Sequence, residues 1–185
     1  MKRGIVDLSS VLWTSLRVGK DKEHGYEEEF EGKNHWINSA AYGYANAVSH
    51  LLACMKEFSM QPRQLIFVQE GMNAKSARQA IYPAYKAGAG KAPAWYTEFN
   101  KAKEMLLSTF LGLGSQLVWQ DGLEADDVVG YLAKNLKGER WVFSNDKDLA
   151  QVIDPDNDAH LYRLGVRDEN PFGPFDVRYI PVAIA

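Results

Sequence analysis

The chain contains a single cysteine, Cys54, and this scarcity excludes an internal disulfide and a zinc site built from cysteine ligands. It also lacks any apolar run approaching the roughly 18 residues that a transmembrane helix requires. The N-terminal segment MKRGIVDLSS has no apolar stretch long enough for a signal peptide. Cys54 lies in the amphipathic segment HLLACMKEF, and we therefore expect it to be a buried apolar residue in a protein of the reducing cytoplasm.

Net positive charge is the second thing that the sequence lacks. With 21 Lys and Arg against 24 Asp and Glu, the net charge is −3, which argues weakly against nucleic-acid binding. The distribution is more informative, because basic residues predominate between Lys56 and Lys103 and acidic residues between Asp121 and Asp158. A polyanion can lie along the first region while metal ions neutralise the second, although each region taken alone is better explained as a solvated surface.

The 185 residues are predicted to form a single domain in which short apolar strands alternate with helices. The predicted strands are residues 4–7, 64–69, 116–119, 141–143 and 160–164. The predicted helices are residues 39–60, capped by Asn38, and residues 74–81, 94–110, 124–136 and 146–152. Residues 20–33 are rich in Glu and are expected to form a surface loop or hairpin. The alternation indicates an α/β fold with a parallel sheet and right-handed crossovers.

Acidic side chains follow four of the predicted strands, at or near the point where each strand ends. They are Asp7, Glu70, Glu124, Asp126, Asp127, Asp146 and Asp148. Because the carboxyl ends of parallel strands share one edge of a sheet, these carboxylates are expected to converge. Such a cluster repels itself unless a cation lies within it, and Mg²⁺ or Mn²⁺ is the candidate cation. Helix capping explains one or two of these acids in isolation, but the four runs together favour a metal site.

The segment ARQAIYPAYK places two cations beside aromatic side chains, shortly after the acidic run that contains Glu70. In it, Arg78 and Lys86 flank Tyr82 and Tyr85. Cations interleaved with aromatic rings suit a phosphodiester backbone and unstacked bases. In isolation, a loop whose two tyrosines pack onto the body of the protein explains the segment equally well. Its proximity to the predicted metal edge favours nucleic-acid binding.

Taken in order, the motifs IVD, QEG, YPAYK, GLEADD and SNDKD resemble the 5′→3′ exonuclease and flap endonuclease family, over about residues 3–165. This family includes the 5′-nuclease domain of bacterial DNA polymerase I and the phage 5′-nucleases. The resemblance implies a PIN-like 5′-nuclease core, which is a three-layer α/β/α fold with a mostly parallel central sheet. It also implies a helical arch over about residues 72–103. The implied substrate is DNA with 5′ ends or 5′ flaps, with an RNA–DNA hybrid as a further candidate.

The resemblance also implies roles for individual residues in a hydrolysis that uses two divalent ions. The ligands of the first ion would be Asp7, Glu70, Glu124 and Asp126. The ligands of the second ion would be Asp127, Asp146 and Asp148. Lys86 would stabilise the charge on the phosphate, and Arg78 would position the 5′ strand. The remaining DNA-binding residues would be Tyr82, Tyr85 and Lys91. A monomer with no membrane association is expected.

The sequence departs from the family pattern at several positions. Glu70 stands where the family has Asp, and Asn145 stands where Gly is usual. The segment AGAGK replaces the basic residue that follows YPxYK, which leaves Lys91 as its substitute. The family's further metal-binding Asp and its downstream helix–turn–helix module are not recognisable, since Asp176 comes too early. We therefore expect residues 1–185 to be a single 5′-nuclease catalytic core with an incomplete second metal site.

Two other functions remain compatible with the sequence. The incomplete second metal site fits a nucleic-acid-binding protein of the same fold that has weak or no hydrolytic activity. The α/β core also fits a PIN-type ribonuclease, although YPAYK and the doubled Asp of EADD favour a DNA nuclease. A metal-dependent 5′-nuclease acting on DNA is the preferred prediction.

Overall fold

A central parallel sheet organises the fold. The computed structural model describes residues 1–30, 32–86 and 93–164, and the predictions for Lys91 and Asp176 fall outside these residues. The strands are β1 (Arg3–Asp7), β2 (Tyr26–Phe30), β3 (Lys33–Ile37), β4 (Leu65–Val68), β5 (Gln116–Val118), β6 (Arg140–Phe143) and β7 (Ala159–Tyr162). The helices are α1 (Leu8–Arg17), α2 (Ala40–Glu57), α3 (Ala74–Ile81), α4 (Trp95–Gly112) and α5 (Ala125–Asn135).

Within the described residues, the five strands of the central sheet run parallel in the order β5-β4-β1-β6-β7. Strand β1 lies at the centre, where Val6 is opposite Phe67 of β4 and Phe143 of β6. A separate antiparallel hairpin pairs β2 with β3. Helices cover both faces of the sheet, so the predicted three-layer α/β/α fold with a mostly parallel sheet is confirmed.

Alternation along the strands directs apolar side chains into a core on each face of the sheet. Val6, Phe67 and Phe143 face the larger core, which they share with α1, α2 and α4. Ile5 and Val142 face the smaller core, which they share with α5. Because both faces are buried, the central strands are continuously apolar, as is typical of a parallel sheet.

Helix α1 is absent from the sequence-based predictions, although its pattern is regular. Leu8, Val11, Leu12 and Leu16 are buried at helical spacing. Asp7 ends β1 and caps α1 at the same residue, so no turn residue separates the strand from the helix. Because no Gly or Pro lies at this boundary, the sequence contains no turn signal to mark the start of the helix.

The predicted cap of α2 is wrong, because Ser39 caps this helix and Asn38 does not. Asn38 is fully buried, and its side chain forms hydrogen bonds with other segments of the chain. Its Oδ1 accepts from the backbone N–H of Asp21 at 2.6 Å and from the Trp36 indole N–H at 3.0 Å. The side chain thereby ties the loop after α1 to the end of the hairpin.

Three other element boundaries differ from the predictions or refine them. Helix α2 ends at Glu57 and not at Met60, because Ser59 adopts a left-handed φ of 51°. The predicted helix at residues 146–152 is a 3-10 turn, Lys147–Val152. The predicted surface loop or hairpin at residues 20–33 contains β2 and leads into the β2–β3 hairpin.

Cys54 lies on helix α2 and belongs to the larger core. Cys54 is 2% exposed, and burial raises the pKa of its thiol to about 12, so it is an unreactive apolar residue as predicted. In the part of the chain that the structure describes, no helix is both long and apolar enough to cross a membrane.

Candidate active site

The carboxyl edge of the central sheet opens into a cleft of about 700 Å³. Strands β1, β4, β5 and β6 run parallel, so the residues that follow them meet at this edge. Of the carboxylates predicted as metal ligands, six line the cleft: Asp7, Glu70, Glu124, Asp126, Asp146 and Asp148. Asp127, the remaining one, forms an ion pair with Arg78. The topology therefore brings together acidic residues that are widely separated in the sequence.

Asp7 is the most enclosed of these carboxylates, with 4% of its surface exposed. Its Oδ1 accepts from the backbone N–H of Ser10 at 3.1 Å, and its Oδ2 accepts from the Ser144 hydroxyl at 2.7 Å. Burial raises the pKa of Asp7 above its ordinary value, and nearby Asp146 adds to the rise, whereas the hydrogen bonds oppose it. Asp7 is thus held in place while its charge is disfavoured, a condition that a bound cation relieves.

Ser144 and Asn145 fix the loop that follows β6, and nothing in the sequence singles out Ser144 as a site residue. Besides its bond to Asp7, the Ser144 hydroxyl accepts from the backbone N–H of Asp146 at 3.0 Å. Asn145, which stands where the family has Gly, bonds the backbone of Leu164 twice. Its Oδ1 accepts at 2.6 Å and its Nδ2 donates at 2.7 Å. The Asn therefore links the loop to the end of β7, which a glycine has no side chain to do.

Capping accounts for some of the carboxylates but leaves Asp126 unexplained. Asp146 Oδ1 accepts from the backbone N–H of Asp148 at 2.8 Å, at the start of the 3-10 turn. Glu124 and Asp127 form a reciprocal capping box at the start of α5, in which the Glu124 N–H donates to Asp127 Oδ2 at 3.1 Å. Asp126 faces the cleft, where burial, followed by the charges of its acidic neighbours, raises its pKa to about 6.

Glu70 is placed by a tight turn at the end of β4. A Cβ on Gly71 would overlap the backbone carbonyl of Gln120, so this position requires glycine. The Gly71 N–H donates to the Leu123 carbonyl at 3.1 Å. This close approach brings the segment after β4 beside the segment after β5 and leaves the exposed Glu70 at the margin of the cleft.

Cations from the segment between β4 and α4 contact the start of α5. Lys86 Nζ lies 2.8 Å from Glu124 Oε1, and the Tyr85 hydroxyl donates to the same carboxylate at 2.7 Å. Arg78 pairs with Asp127 at 2.6 Å and lies 3.6 Å from Glu124 Oε2. We refer to Glu124, Arg78, Tyr85, Lys86 and Asp127 as the Glu124 cluster.

The contacts within the Glu124 cluster shift the pKa values of Glu124 and Lys86 so that the charged form of each is favoured. Burial opposes both charges, but the hydrogen bonds from Lys86 and Tyr85, together with the charges of Lys86 and Arg78, outweigh it and hold the pKa of Glu124 below its ordinary value. The contact with Glu124 raises the pKa of Lys86. Both groups are therefore charged near neutral pH and form an ion pair that lines the cleft.

The two tyrosines predicted to bind DNA have different surroundings. Tyr85 lines the cleft and bonds Glu124, so it packs onto the body of the protein. Tyr82 is 63% exposed, and its neighbour Ile81 is 86% exposed. Of the pair, Tyr82 is the ring that remains open to a ligand, and the role of either residue in DNA binding stays a prediction.

An aromatic wall of the same cleft consists of Trp13, Trp95, Tyr96 and Phe99. The rings of Trp13 and Trp95 lie 4.4 Å apart between centroids, and those of Tyr96 and Phe99 stack at 5.6 Å. None of these four residues was singled out as a site residue from the sequence. Trp13 was missed because α1 was missed.

The carboxylates of the cleft match the chemistry of Mg²⁺ or Mn²⁺, which prefer oxygen ligands. Among the described residues, no group of three Asp, Glu, His or Cys side chains is gathered closely enough to hold a metal ion. One reason is that Glu124 and Asp127 point toward cations of this chain. Mg²⁺ retains several waters and commonly takes one or two direct carboxylate ligands, so this looser arrangement still fits it. The assignment of individual ligands stays a prediction.

Relatives that match the chain in sequence include an exonuclease and a DNA polymerase. The 5′-3′ exonuclease of Aquifex aeolicus is 34% identical over 119 residues, which cover 62% of this chain and 38% of that protein. DNA polymerase I of Treponema pallidum is 33% identical over 119 residues, which cover 62% of this chain and 11% of the polymerase. The chain therefore spans well under half the length of these relatives.

Solved structures of a bacteriophage T5 protein share the fold. The T5 5′-exonuclease with bound zinc superposes with a TM-score of 0.59 at 18% identity, covering 88% of this chain and 54% of that chain. The T5 D15 flap endonuclease in complex with DNA and metal ions gives a TM-score of 0.52 at 16% identity, covering 88% and 54%.

A family model supplies the assignment that these partial matches leave open. The model of the 5′-3′ exonuclease, N-terminal resolvase-like domain matches residues 24–178, which is most of the chain. The match includes the segments that carry Glu70, Glu124 and Asp146, whereas Asp7 precedes it. The resemblance in the motifs is thereby confirmed, and the chain belongs to the 5′-3′ exonuclease family through its N-terminal resolvase-like domain.

Proposed function

We propose that this protein is a divalent-metal-dependent 5′-nuclease that hydrolyses DNA phosphodiesters near 5′ ends or 5′ flaps. The observation that carries the proposal is the cleft itself, which six carboxylates line together with the aromatic wall and with Tyr85 and Lys86 of the Glu124 cluster. Family membership supports the reaction class. The T5 flap endonuclease complex, which contains DNA and metal ions, supports the choice of substrate and cofactor.

Asp7, Glu70, Glu124 and Asp126 would hold one divalent ion, and Asp146 and Asp148 would hold a second, incompletely ligated one. Asp127 would join the second set on release from Arg78. When bound, Mg²⁺ or Mn²⁺ supplies an activated water and neutralises charge on the phosphate and the leaving oxygen.

The residues of the chain supply binding and electrostatic stabilisation. A phosphodiester entering the cleft competes with Glu124 for the Lys86 ammonium, and the ammonium then offsets the charge that develops on the phosphate. Arg78, whose side chain is 42% exposed, would contact the phosphates of the 5′ strand. The aromatic wall and Tyr82 offer π-faces to unstacked bases.

We further propose that residues 72–103 form the helical arch of this nuclease, in which α3 and the start of α4 are its limbs. Lys91 belongs to the same segment, outside the described residues. The protein would act as a monomer in the cytoplasm of a bacterial or phage-infected cell, and an RNA–DNA hybrid is a further candidate substrate. The bacterial and phage origin of the relatives supports this location.

The deciding experiment incubates the purified protein with 5′-flap DNA, blunt duplex DNA, an RNA–DNA hybrid or single-stranded RNA. Each substrate is tested with Mg²⁺, with Mn²⁺ and with EDTA. We expect cleavage of the flap DNA near its 5′ end with either metal and none with EDTA. The proposal would be contradicted if none of the DNA substrates gave a metal-dependent product. Binding without cleavage would identify a nucleic-acid-binding protein, and cleavage of RNA alone a PIN-type ribonuclease.

A further inference from the structure

Helix α4 begins without a cap of its own. The residue at its N-cap position is Ala94, whose side chain cannot accept a hydrogen bond from the first turn. Glu28, on strand β2, supplies the missing acceptors. Its Oε1 accepts from the N–H of Ala94 at 3.0 Å, and its Oε2 accepts from the N–H of Trp95 at 3.0 Å. The carboxylate also lies at the positive end of the helix dipole, which favours its charge.

His35, the residue opposite Glu28 in the hairpin, contacts Trp13 of the aromatic wall. Glu28 pairs with His35 of β3, so both side chains lie on the same face of the hairpin. The His35 ring lies 6.2 Å from the ring of Trp13 in an edge contact. Arg17 Nη2 donates to His35 Nδ1 at 2.6 Å, and the Arg17 guanidinium lies 4.9 Å from the centre of the Trp13 ring.

The cross-strand pair Glu28–His35 therefore contacts both tryptophans of the cleft. Glu28 fixes the backbone of Trp95, whereas His35 packs against Trp13. The two indole rings in turn lie against each other at 4.4 Å. A rotation or shift of the start of α4 would separate these rings and change the width of the cleft between the aromatic wall and the carboxylates.

We propose that Glu28 is a positioning residue, which caps α4 from the hairpin and thereby sets the place of Trp95 in the aromatic wall. The expected effect of this cap is on the binding of an unstacked DNA strand, and in this respect the inference rests on the proposed nuclease function. Glu28 touches no reacting group and acts through Trp95. Its loss is therefore expected to weaken substrate binding more than the chemical step.

The test compares Glu28→Ala and Glu28→Gln with Glu29→Ala, a control at the next position of the same strand. Glu29 is exposed, and alternation directs it to the opposite face of the hairpin. Amide hydrogen exchange at Ala94 and Trp95 is measured by NMR in the absence of DNA. Glu28→Ala should accelerate exchange at both amides about 5-fold or more, since a lost cap opens the first turn. Glu28→Gln retains one acceptor oxygen and should give a smaller increase, and Glu29→Ala should give none.

The functional arm measures KM and kcat on 5′-flap DNA. Glu28→Ala should raise KM several-fold and change kcat less than about 2-fold, with partial recovery in Glu28→Gln. Unchanged exchange at both amides in Glu28→Ala would overturn the cap, and an unchanged KM would overturn its role in positioning. If the wild type cleaves no DNA, the proposed function fails separately. The exchange data then still decide the cap, and the Kd for single-stranded DNA replaces KM.

Discussion

The two sides of the cleft that carry charge are built in different ways. The acidic side, formed by Asp7, Asp126 and Asp146, extends from strand ends and a helix start that pack into the core. Asp7 and its partner Ser144 are 4% and 0% exposed. The cationic side, formed by Arg78 and Lys86, extends from α3 and the turn after it, and the buried residue of α3 is Ala74. Packing holds the first side, whereas ion pairs with Glu124 and Asp127 hold the second.

Because of this difference, the carboxylates are held in place before a substrate binds, whereas the cations can exchange their ion-pair partners. A packed carboxylate keeps its position whatever the ligand, as preorganised electrostatics require. An exposed ion pair is worth only about 0–1 kcal/mol, so a phosphodiester can displace it readily. Lys86 also has a left-handed φ of 46°, a conformation that costs a non-glycine residue about 1–2 kcal/mol. Its contacts with Glu124 and with the Tyr85 ring, 5.0 Å away, offset that strain.

The largest effect is expected from Asp126→Ala, which removes a carboxylate of the acidic side. Single-turnover cleavage of 5′-flap DNA should fall at least about 100-fold, the upper limit for residues that only support a metal ligand. The fold should persist, because Asp126 belongs to neither apolar core and its charge is repelled by its neighbours. Asp156→Ala, at an exposed acid of the 3-10 turn at residues 155–157, is the control and should cleave normally. Equal rates for Asp126→Ala and the wild type would remove Asp126 from the site.

Lys86→Ala tests the cationic side and should separate activity from stability. Loss of the ammonium should slow single-turnover cleavage about 100-fold, by analogy with removal of one electrostatic donor to a developing charge. The free energy of unfolding, measured with urea, should change by less than about 1 kcal/mol because the Lys86 side chain is 54% exposed.

The control for Lys86→Ala is Lys134→Ala, at an exposed lysine in the last turn of α5. It should leave both the cleavage rate and the stability unchanged. A large loss of stability in Lys86→Ala would show that the cationic side is part of the packed framework, and the contrast between the two sides would then disappear.

The sequence predicted the acidic side better than its surroundings, for identifiable reasons. Asp7 and Asp146 follow apolar strands, and parallel topology brings strand ends together whatever the loops do. Glu28 lies in a run of glutamates that is typical of a solvated loop, and its contact with α4 depends on a hairpin orientation that local sequence does not encode. Trp13 and Trp95 lie far apart in the chain, so their contact also follows from tertiary packing.

The error at Asn38 has a related cause. Asn38 and Ser39 are both good N-cap residues, and propensity cannot rank two adjacent candidates. The structure resolves the choice through burial, because Asn38 has the backbone of Asp21 and the indole of Trp36 as partners. Local sequence thus indicates that a cap exists, whereas the tertiary environment selects the residue that provides it.

A pair of substitutions at Asp7 tests whether hydrogen bonding or packing holds this side chain on the acidic side. Asp7→Asn keeps an oxygen that can accept from Ser10 or Ser144, whereas Asp7→Ala leaves the Ser144 hydroxyl without this acceptor and α1 without its cap. Urea unfolding should find Asp7→Ala less stable than Asp7→Asn by about 1–2 kcal/mol. Both variants should lose cleavage. Equal stability of the two would mean that packing alone holds Asp7.

The smallest expected effect concerns pH, and it reports the raised pKa of Asp126 on the acidic side. The pKa of Asp126 is raised from 3.8 to about 6, by burial first and then by Asp7, Asp146 and the acids of the Glu124 cluster. The folded state therefore binds a proton that the unfolded chain releases between these values. The stability that this proton contributes is fully present below about pH 3.8 and is lost as the pH rises through about 6.

Urea unfolding in EDTA at pH 5 and pH 7.5 should accordingly show a larger gain in stability on acidification for the wild type than for Asp126→Asn, which cannot titrate. Groups shared by the two proteins cancel in this difference. Saturating Mg²⁺ should reduce the difference, because a bound cation favours the ionised carboxylate and removes the repulsion. Parallel pH profiles for the two proteins in EDTA would mean that the folded state does not raise the pKa of Asp126, and that neither burial nor the neighbouring acids disfavour its charge.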